Sequence, residues 1–191
     1  MRLLVALFVL LAPLAVRAQS HDHAAHDSTH HDGMDHGAMH AMHHPDTFGA
    51  AETEDHEAVR AAVVALFDAM RAGDADALLA VVHPGAVLMS VAAGRDGVTH
   101  VETETMDNFA AAVGAPHDQV YDERIGPIEV RVDGPLATAW TVYKFYVGPT
   151  FSHCGVDAFQ FANTGDGWKI IAVTDTRRTE CEGFPEVVGA R

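Results

Sequence analysis

The chain has 191 residues, 27 Asp and Glu against 12 Lys and Arg, and a formal net charge of −15 at pH 7. That balance excludes a nucleic-acid binder, which needs a basic face to neutralise phosphates. There are two cysteines, and no run of apolar residues reaches the roughly 20 that a helix needs to span a bilayer.

Residues 1–18 read as a secretory signal. Arg2 gives the charged start, Leu3 to Ala15 form an apolar run, and Val16-Arg17-Ala18 ends in the small-residue pattern of a cleavage site. The mature chain then starts near Gln19 and is periplasmic or secreted. No Cys follows the cleavage point, so lipid anchoring there is not expected. In an oxidising compartment Cys154 and Cys181 read as one disulfide, worth roughly 3–4 kcal/mol in a loop-entropy account. A thiol pair for a metal and two buried free thiols are the alternatives.

Residues 19–51 have no apolar periodicity and no basic residue, which predicts a disordered tail. Its composition is chemically pointed. His21, His23, His26, His30, His31, His36, His40, His43 and His44 are interleaved with Met39 and Met42, and Gly and Ala separate them. Imidazole nitrogen suits Cu(II), Ni(II) and Zn(II), and thioether sulfur suits Cu(I). The arm is therefore expected to bind transition metal, copper before nickel or zinc. The plainer reading is a solvated low-complexity spacer. His83, His100, His117 and His153 form no ligand motif of their own.

From Glu52 to about Gly183 the pattern is that of one compact domain, with 184–191 as a C-terminal tail. In EDHEAVRAAVVALFDAMRAGD, Val59, Val63, Leu66, Phe67 and Met70 share a helical face, and Gly73 suits the C′ position. Asp74 caps a second helix, DADALLAVVH, ended by Pro84. The strand AVLMSVA follows. Residues 101–113 predict a third helix with Val101, Met106, Phe109, Ala110 and Val113 inward. The remainder is strand. QVYDERIGPIEVRVDG alternates at Ile128, Val130 and Val132, PLATAWTVYKFYVG follows, and a hairpin turns at Thr164-Gly165-Asp166-Gly167. Helices followed by antiparallel strands predict an α+β fold.

The opening AVRAAVVALFDAMRAGDADALLAVVHPGAVL, the ending DGWKIIAVTDTRR and the stretch FSHCGVDAFQF together resemble the nuclear transport factor 2-like, or SnoaL-like, superfamily. The resemblance covers about residues 55–180. It implies a cystatin-like α+β roll with N-terminal helices on a curved, mostly antiparallel sheet, and a dimer formed through the outer sheet face. It does not fix an activity, because the superfamily holds isomerases, dehydratases, hydrolases and non-catalytic binders.

A roll of this kind has a pocket between its concave sheet and its helices, and strand parity suggests what faces it. Asp157, Phe159 and Phe161 share one face, as do Ile171, Val173, Asp175 and Arg177, and as do Tyr143 and Phe145. Asp157 and Asp175 are the candidate general acid or base, with Tyr143 polarising a substrate oxygen. Arg177, His153, Phe159 and Phe161 are candidate ligand contacts. Against this, Asp157–Arg177 and Asp175–Arg178 also read as ion pairs that fix the sheet edge. Trp140 and Trp168 read as core or dimer-face aromatics. The sequence thus predicts an exported domain that binds a small molecule and carries a metal-binding arm. The alternatives are a small isomerase, dehydratase or hydrolase, or a metal-delivery protein.

Overall fold

The computed structural model describes residues 52–184 and Val187. The expected signal segment, the His- and Met-bearing arm from His21 to His44 and most of the C-terminal tail lie outside these residues. No helix among the described residues is long and apolar enough to cross a membrane.

The first helix, α1 (Glu54–Ala72), starts where the backbone N–H of Thr53 donates to His56 Nδ1 at 3.2 Å, with Glu54, Asp55 and Glu57 in the positive first turn. It stops at Gly73, whose left-handed φ of 67° lets Asp74 N–H turn back to the Ala69 carbonyl at 2.9 Å. Val59, Val63, Leu66, Phe67 and Met70 are all buried, as their spacing predicts. Each contributes about 1.5–3 kcal/mol of burial. The second helix, α2 (Ala75–Ala80), is capped by Asp74 Oδ1, which accepts from Ala77 N–H at 2.9 Å. It ends before the predicted His83, because β-branched Val81 and Val82 turn into strand and Val82 pairs with Ile170.

Strand β1 (Val82–Ala93) is followed by a departure from expectation. Residues Thr99–Thr105 form strand β2 against β1, and the third helix, α3, covers only Met106–Gly114. Val101 is therefore an exposed strand residue rather than an inward helical one. The reason is local: THVETET alternates β-branched and charged residues, and Thr105 Oγ1 caps α3 by accepting from Asn108 N–H at 3.2 Å.

The remaining strands are β3 (Tyr121–Ile125), β4 (Glu129–Asp133), β5 (Leu136–Val147), β6 (Thr150–Asn163) and β7 (Trp168–Arg177). The sheet order is β2-β1-β7-β6-β5-β3, with β4 also paired to β5, and only β1–β7 runs parallel. The strands β3 and β4 share one edge of β5 end to end. The core lies between the sheet and the helices: Phe159 meets Phe67 edge-on at 6.1 Å, and Phe161 and Ile170 are fully buried. Trp168 is buried too, donating its indole N–H to Asp55 Oδ1 at 2.9 Å, whereas Trp140 is 53% exposed.

Strict alternation on β7 fails at one point. A bulge opposite Gln160 and Phe161 puts Ile170 into the core in place of Ile171, and alternation resumes at Val173 and Asp175.

Cys154 and Cys181 form a disulfide, with Cα atoms 6.2 Å apart and a sequence separation of 27. It ties the segment after β7 back onto β6, where Cys154 and Arg178 exchange two backbone hydrogen bonds of 2.9 Å. Cys181→Ser should lower unfolding stability by about 3–4 kcal/mol, read as a fall in the urea midpoint. An unchanged midpoint would show that the bridge constrains nothing.

Candidate functional site

Three rows of side chains cross the concave face of the sheet, each fixed by register. The innermost is Thr141, Asp157, Asp175 and Ser90 on β5, β6, β7 and β1. The next places Ile125, Tyr143 and Gly155 opposite one another on β3, β5 and β6. The outermost is Glu123, Phe145 and His153. Beyond Phe159 toward the core this face is apolar, so the polar groups gather at one end of it.

Asp157 and Asp175 are 3% and 6% exposed. Arg177, two residues along β7 on the same face, donates from Nε to Asp175 Oδ2 at 2.8 Å. This is the ion pair that forms. Arg178, expected beside Asp175, instead reaches Thr176 Oγ1 at 3.4 Å and lies over the Phe184 ring. No N–H of the protein reaches Asp157 Oδ2 or Asp175 Oδ1, although both atoms are buried.

Glu123 is the residue that sequence reasoning missed. Its carboxyl meets that of Asp157, and the two share a hydrogen bond that requires a proton between them. Desolvation pushes Glu123 up to about 7, against the opposing pull of the Asp157 hydrogen bond and then of Arg177 and Arg71. Asp157 is raised well above the usual carboxylate range, first by desolvation and then by the Glu123 and Asp175 charges. Arg71 on α1 braces this corner by donating to the Glu123 carbonyl at 2.8 Å and pairing with Asp68. The missed signal was present: Tyr121, Glu123 and Ile125 share a parity, and Tyr121 and Ile125 pack against the core.

Tyr143 is 1% exposed and its hydroxyl donates to the Thr176 carbonyl at 2.9 Å, with Asp175 Oδ2 at 3.5 Å. Desolvation and the Asp175 charge raise its pKa, so it stays a phenol. The hydroxyl proton is thus engaged by the backbone, which makes Tyr143 a positioning residue for β7. It reaches β7 by lying over Gly155, where a Cβ would stand 1.6 Å from the Thr176 carbonyl oxygen. His153 packs edge-on to Tyr143 at 5.7 Å and tilted to Phe145 at 5.1 Å. Desolvation, then Arg177, lowers it to about 4, so at neutral pH it is an uncharged ring. Phe159 and Phe161 sit deeper, within the core cluster.

The structure therefore brings together Asp157, Asp175, Tyr143, Arg177 and His153, adds Glu123, and walls the group with Phe145. No three His, Cys, Asp or Glu side chains among the described residues are placed to hold a metal ion. A separate pocket of about 470 Å³ lies on the opposite sheet face, lined by Glu129, Trp140, Gln160 and Thr174.

Residues 54–174 match the family described as "Putative lumazine-binding". That span includes Glu123, Tyr143 and Asp157 and stops just short of Asp175. No curated protein matches the chain. Among solved structures it is similar to an NTF2-like protein with a cystatin-like fold from Novosphingobium aromaticivorans, with 20% identity over 65% of this chain and 82% of that one, at a TM-score of 0.50. It is also similar to a "putative dehydratase from the NTF2-like family" from Streptomyces avermitilis, with 20% identity, 66% and 97% coverage and a TM-score of 0.52. A third is the beta subunit of a "putative aromatic-ring-hydroxylating dioxygenase" from N. aromaticivorans, with 12% identity, 65% and 90% coverage and a TM-score of 0.54. At these identities the likeness is one of fold. With its helices on an unclosed, mostly antiparallel sheet and this match over most of the domain, the chain has the nuclear transport factor 2-like, cystatin-like fold and belongs to the "Putative lumazine-binding" family.

Proposed function

We propose that the folded domain binds a small organic ligand against Glu123, Asp157 and Asp175, within an exported homodimer whose His- and Met-rich arm takes a transition metal, copper first. The observation that carries the binding site is the pair of buried carboxyl oxygens, Asp157 Oδ2 and Asp175 Oδ1, that no N–H of the protein reaches. Buried acceptors normally find donors, and a ligand that brings its own would complete this site. The family description, lumazine-binding, supports a flat heterocycle with N–H groups as the first probe. Dimerisation through the outer sheet face is supported by Trp140 and Leu136, which are 53% and 49% exposed there.

One observation favours a second reading, an acid–base enzyme of the isomerase or dehydratase kind. A carboxyl pair that exchanges a proton near pH 7 suits general acid–base work. On this reading Asp157→Asn abolishes turnover while the fold persists.

Thermal melting of residues 19–191 and of residues 52–191, each titrated with lumazine and with Cu(II), tests the proposal. Lumazine should raise Tm in both chains, and Cu(II) should bind tightly only to the longer one. A lumazine shift confined to the longer chain would move the ligand site out of the domain. Equal, tight copper binding by both would move the metal site out of the arm.

A further inference from the structure

The inventory of donors at the carboxyl cluster restricts what can bind there. Asp157 and Asp175 lie opposite one another on β6 and β7, and the Glu123 carboxyl on β3 acts electrostatically on both. Arg177 is the cation that contacts them, and its Nε already serves Asp175 Oδ2. Arg71 acts on the Glu123 backbone, Asp68 and Asp122. The Tyr143 hydroxyl already donates to the Thr176 carbonyl, and the His153 Nδ1 stands 3.0 Å from Ser152 Oγ. With Glu123 and Asp157 ionised, acceptors outnumber donors and negative charge outnumbers positive. A ligand carboxylate or phosphate would worsen both imbalances. A divalent metal would relieve them, but no trio of ligating side chains is placed to hold one among the described residues.

The walls narrow the choice further. Phe145, His153 and Tyr143 form a continuous aromatic surface beside the acids, with ring centroids 5.1 and 5.7 Å apart. Aromatic faces attract cations and flat rings, and the attraction grows where water is excluded.

We propose that the cluster receives a flat, protonated nitrogen base, an amidinium or a protonated amino-heterocycle, whose N–H groups donate to Asp157 and Asp175 and whose ring lies against Phe145 and His153. This rests on the reading of the cluster as a ligand site and adds the charge and shape of the ligand. A planar cation with two parallel N–H groups meets a carboxylate with two hydrogen bonds, which a rounded ammonium does not. Its arrival displaces the proton held between Glu123 and Asp157. The groups facing that proton are Asp175 and Arg177 from β7, Tyr143 from β5 and Arg71 from α1. Glu123 titrates near 7, so affinity for a cation that stays protonated throughout should rise about tenfold from pH 6 to pH 8.

The probes are benzamidine, its neutral isostere benzamide, and benzoate, titrated by calorimetry into the full mature chain at pH 6, 7 and 8. Lumazine is run alongside. Benzamidine should bind at least tenfold more tightly than benzamide, benzoate should not bind, and the benzamidine affinity should climb with pH. Glu123→Gln, which removes the titrating group without changing shape, should weaken benzamidine binding and flatten its pH dependence. Binding of benzamide or benzoate as tight as benzamidine, or of lumazine alone, would overturn the cationic preference and leave the ligand-site reading standing. Benzamidine binding that is unchanged in Glu123→Gln would reflect the acidic surface at large and overturn the proposal. If none of the four probes binds, the proposal and the ligand-site reading fall together.

Discussion

Alanine at position 155 should lower the stability of the folded domain by about 3 kcal/mol or more, the upper end of what overpacking costs. The added Cβ would stand 1.6 Å from the Thr176 carbonyl oxygen, 2.7 Å from its carbonyl carbon and 2.8 Å from Tyr143 Cε1. Two of these atoms are backbone of the neighbouring strand and cannot swing away. Relief requires β6 and β7 to part where Cys154 and Arg178 exchange hydrogen bonds, or Tyr143 to leave its place over the glycine. Either movement carries Asp157 and Asp175 with it. Gly94→Ala is the matched control. Its Cβ would meet only the ends of the Asp96 and His100 side chains, which are exposed and can turn at the cost of a surface ion pair. That change should cost under about 1 kcal/mol, as for an ordinary surface position. Equilibrium urea unfolding measures both, and equal midpoints for the two variants would refute the account of Gly155.

The same glycine shows what the sequence disclosed and what it withheld. The parity of Asp157, Phe159 and Phe161 on one strand, and of Val173, Asp175 and Arg177 on another, was readable because period-two alternation survives along most of β6 and β7. The burial of α1 was readable because its apolar residues keep helical spacing. Local rules failed where two elements negotiate. The bulge that swaps Ile170 for Ile171 depends on the pairing of β7 with β6, which neither strand reveals alone. The strand at Thr99–Thr105 exists because β1 offers it an edge, and the run VETETMDNF read as helix lacks that context. The parity of Tyr121 and Ile125 hinted at the face of Glu123, but its partner was hidden for a similar reason. A glutamate in YDERI is an ordinary surface residue until β3 docks on β5 and swings its carboxyl to Asp157. The need for glycine at 155 is likewise invisible without Tyr143 above it and Thr176 beside it.

Glu123→Gln should leave the domain more stable than the natural chain at pH 8, by up to about 3 kcal/mol, and nearly unchanged at pH 4.5. The sign follows from the proton. Glu123 holds its proton more tightly folded than unfolded, up to about 7 against an ordinary 4.5. Below 4.5 both states are protonated, and the buried carboxyl escapes the cost of carrying a charge out of water. Between 4.5 and 7 the unfolded chain releases the proton while the folded chain keeps it, so stability is lost as pH rises and levels off above 7. Asp157, also raised, acts in the same direction. Exposed Asp96 and Glu52, whose pKa values are lowered by their hydrogen bonds, act in the opposite sense at lower pH. The difference between the two chains removes their effect. Glutamine keeps a hydrogen bond to Asp157 without the charge, so the variant's stability should fall less steeply across the window, through Asp157 alone. Urea unfolding at pH 4.5, 6, 7 and 8 reads the difference directly, and parallel curves for the two chains would show that Glu123 does not hold an extra proton. A carboxyl that weakens the fold at neutral pH persists most readily where the destabilised group has work to do. The residue that relieves the fold when neutralised is therefore the one whose loss should most impair ligand binding.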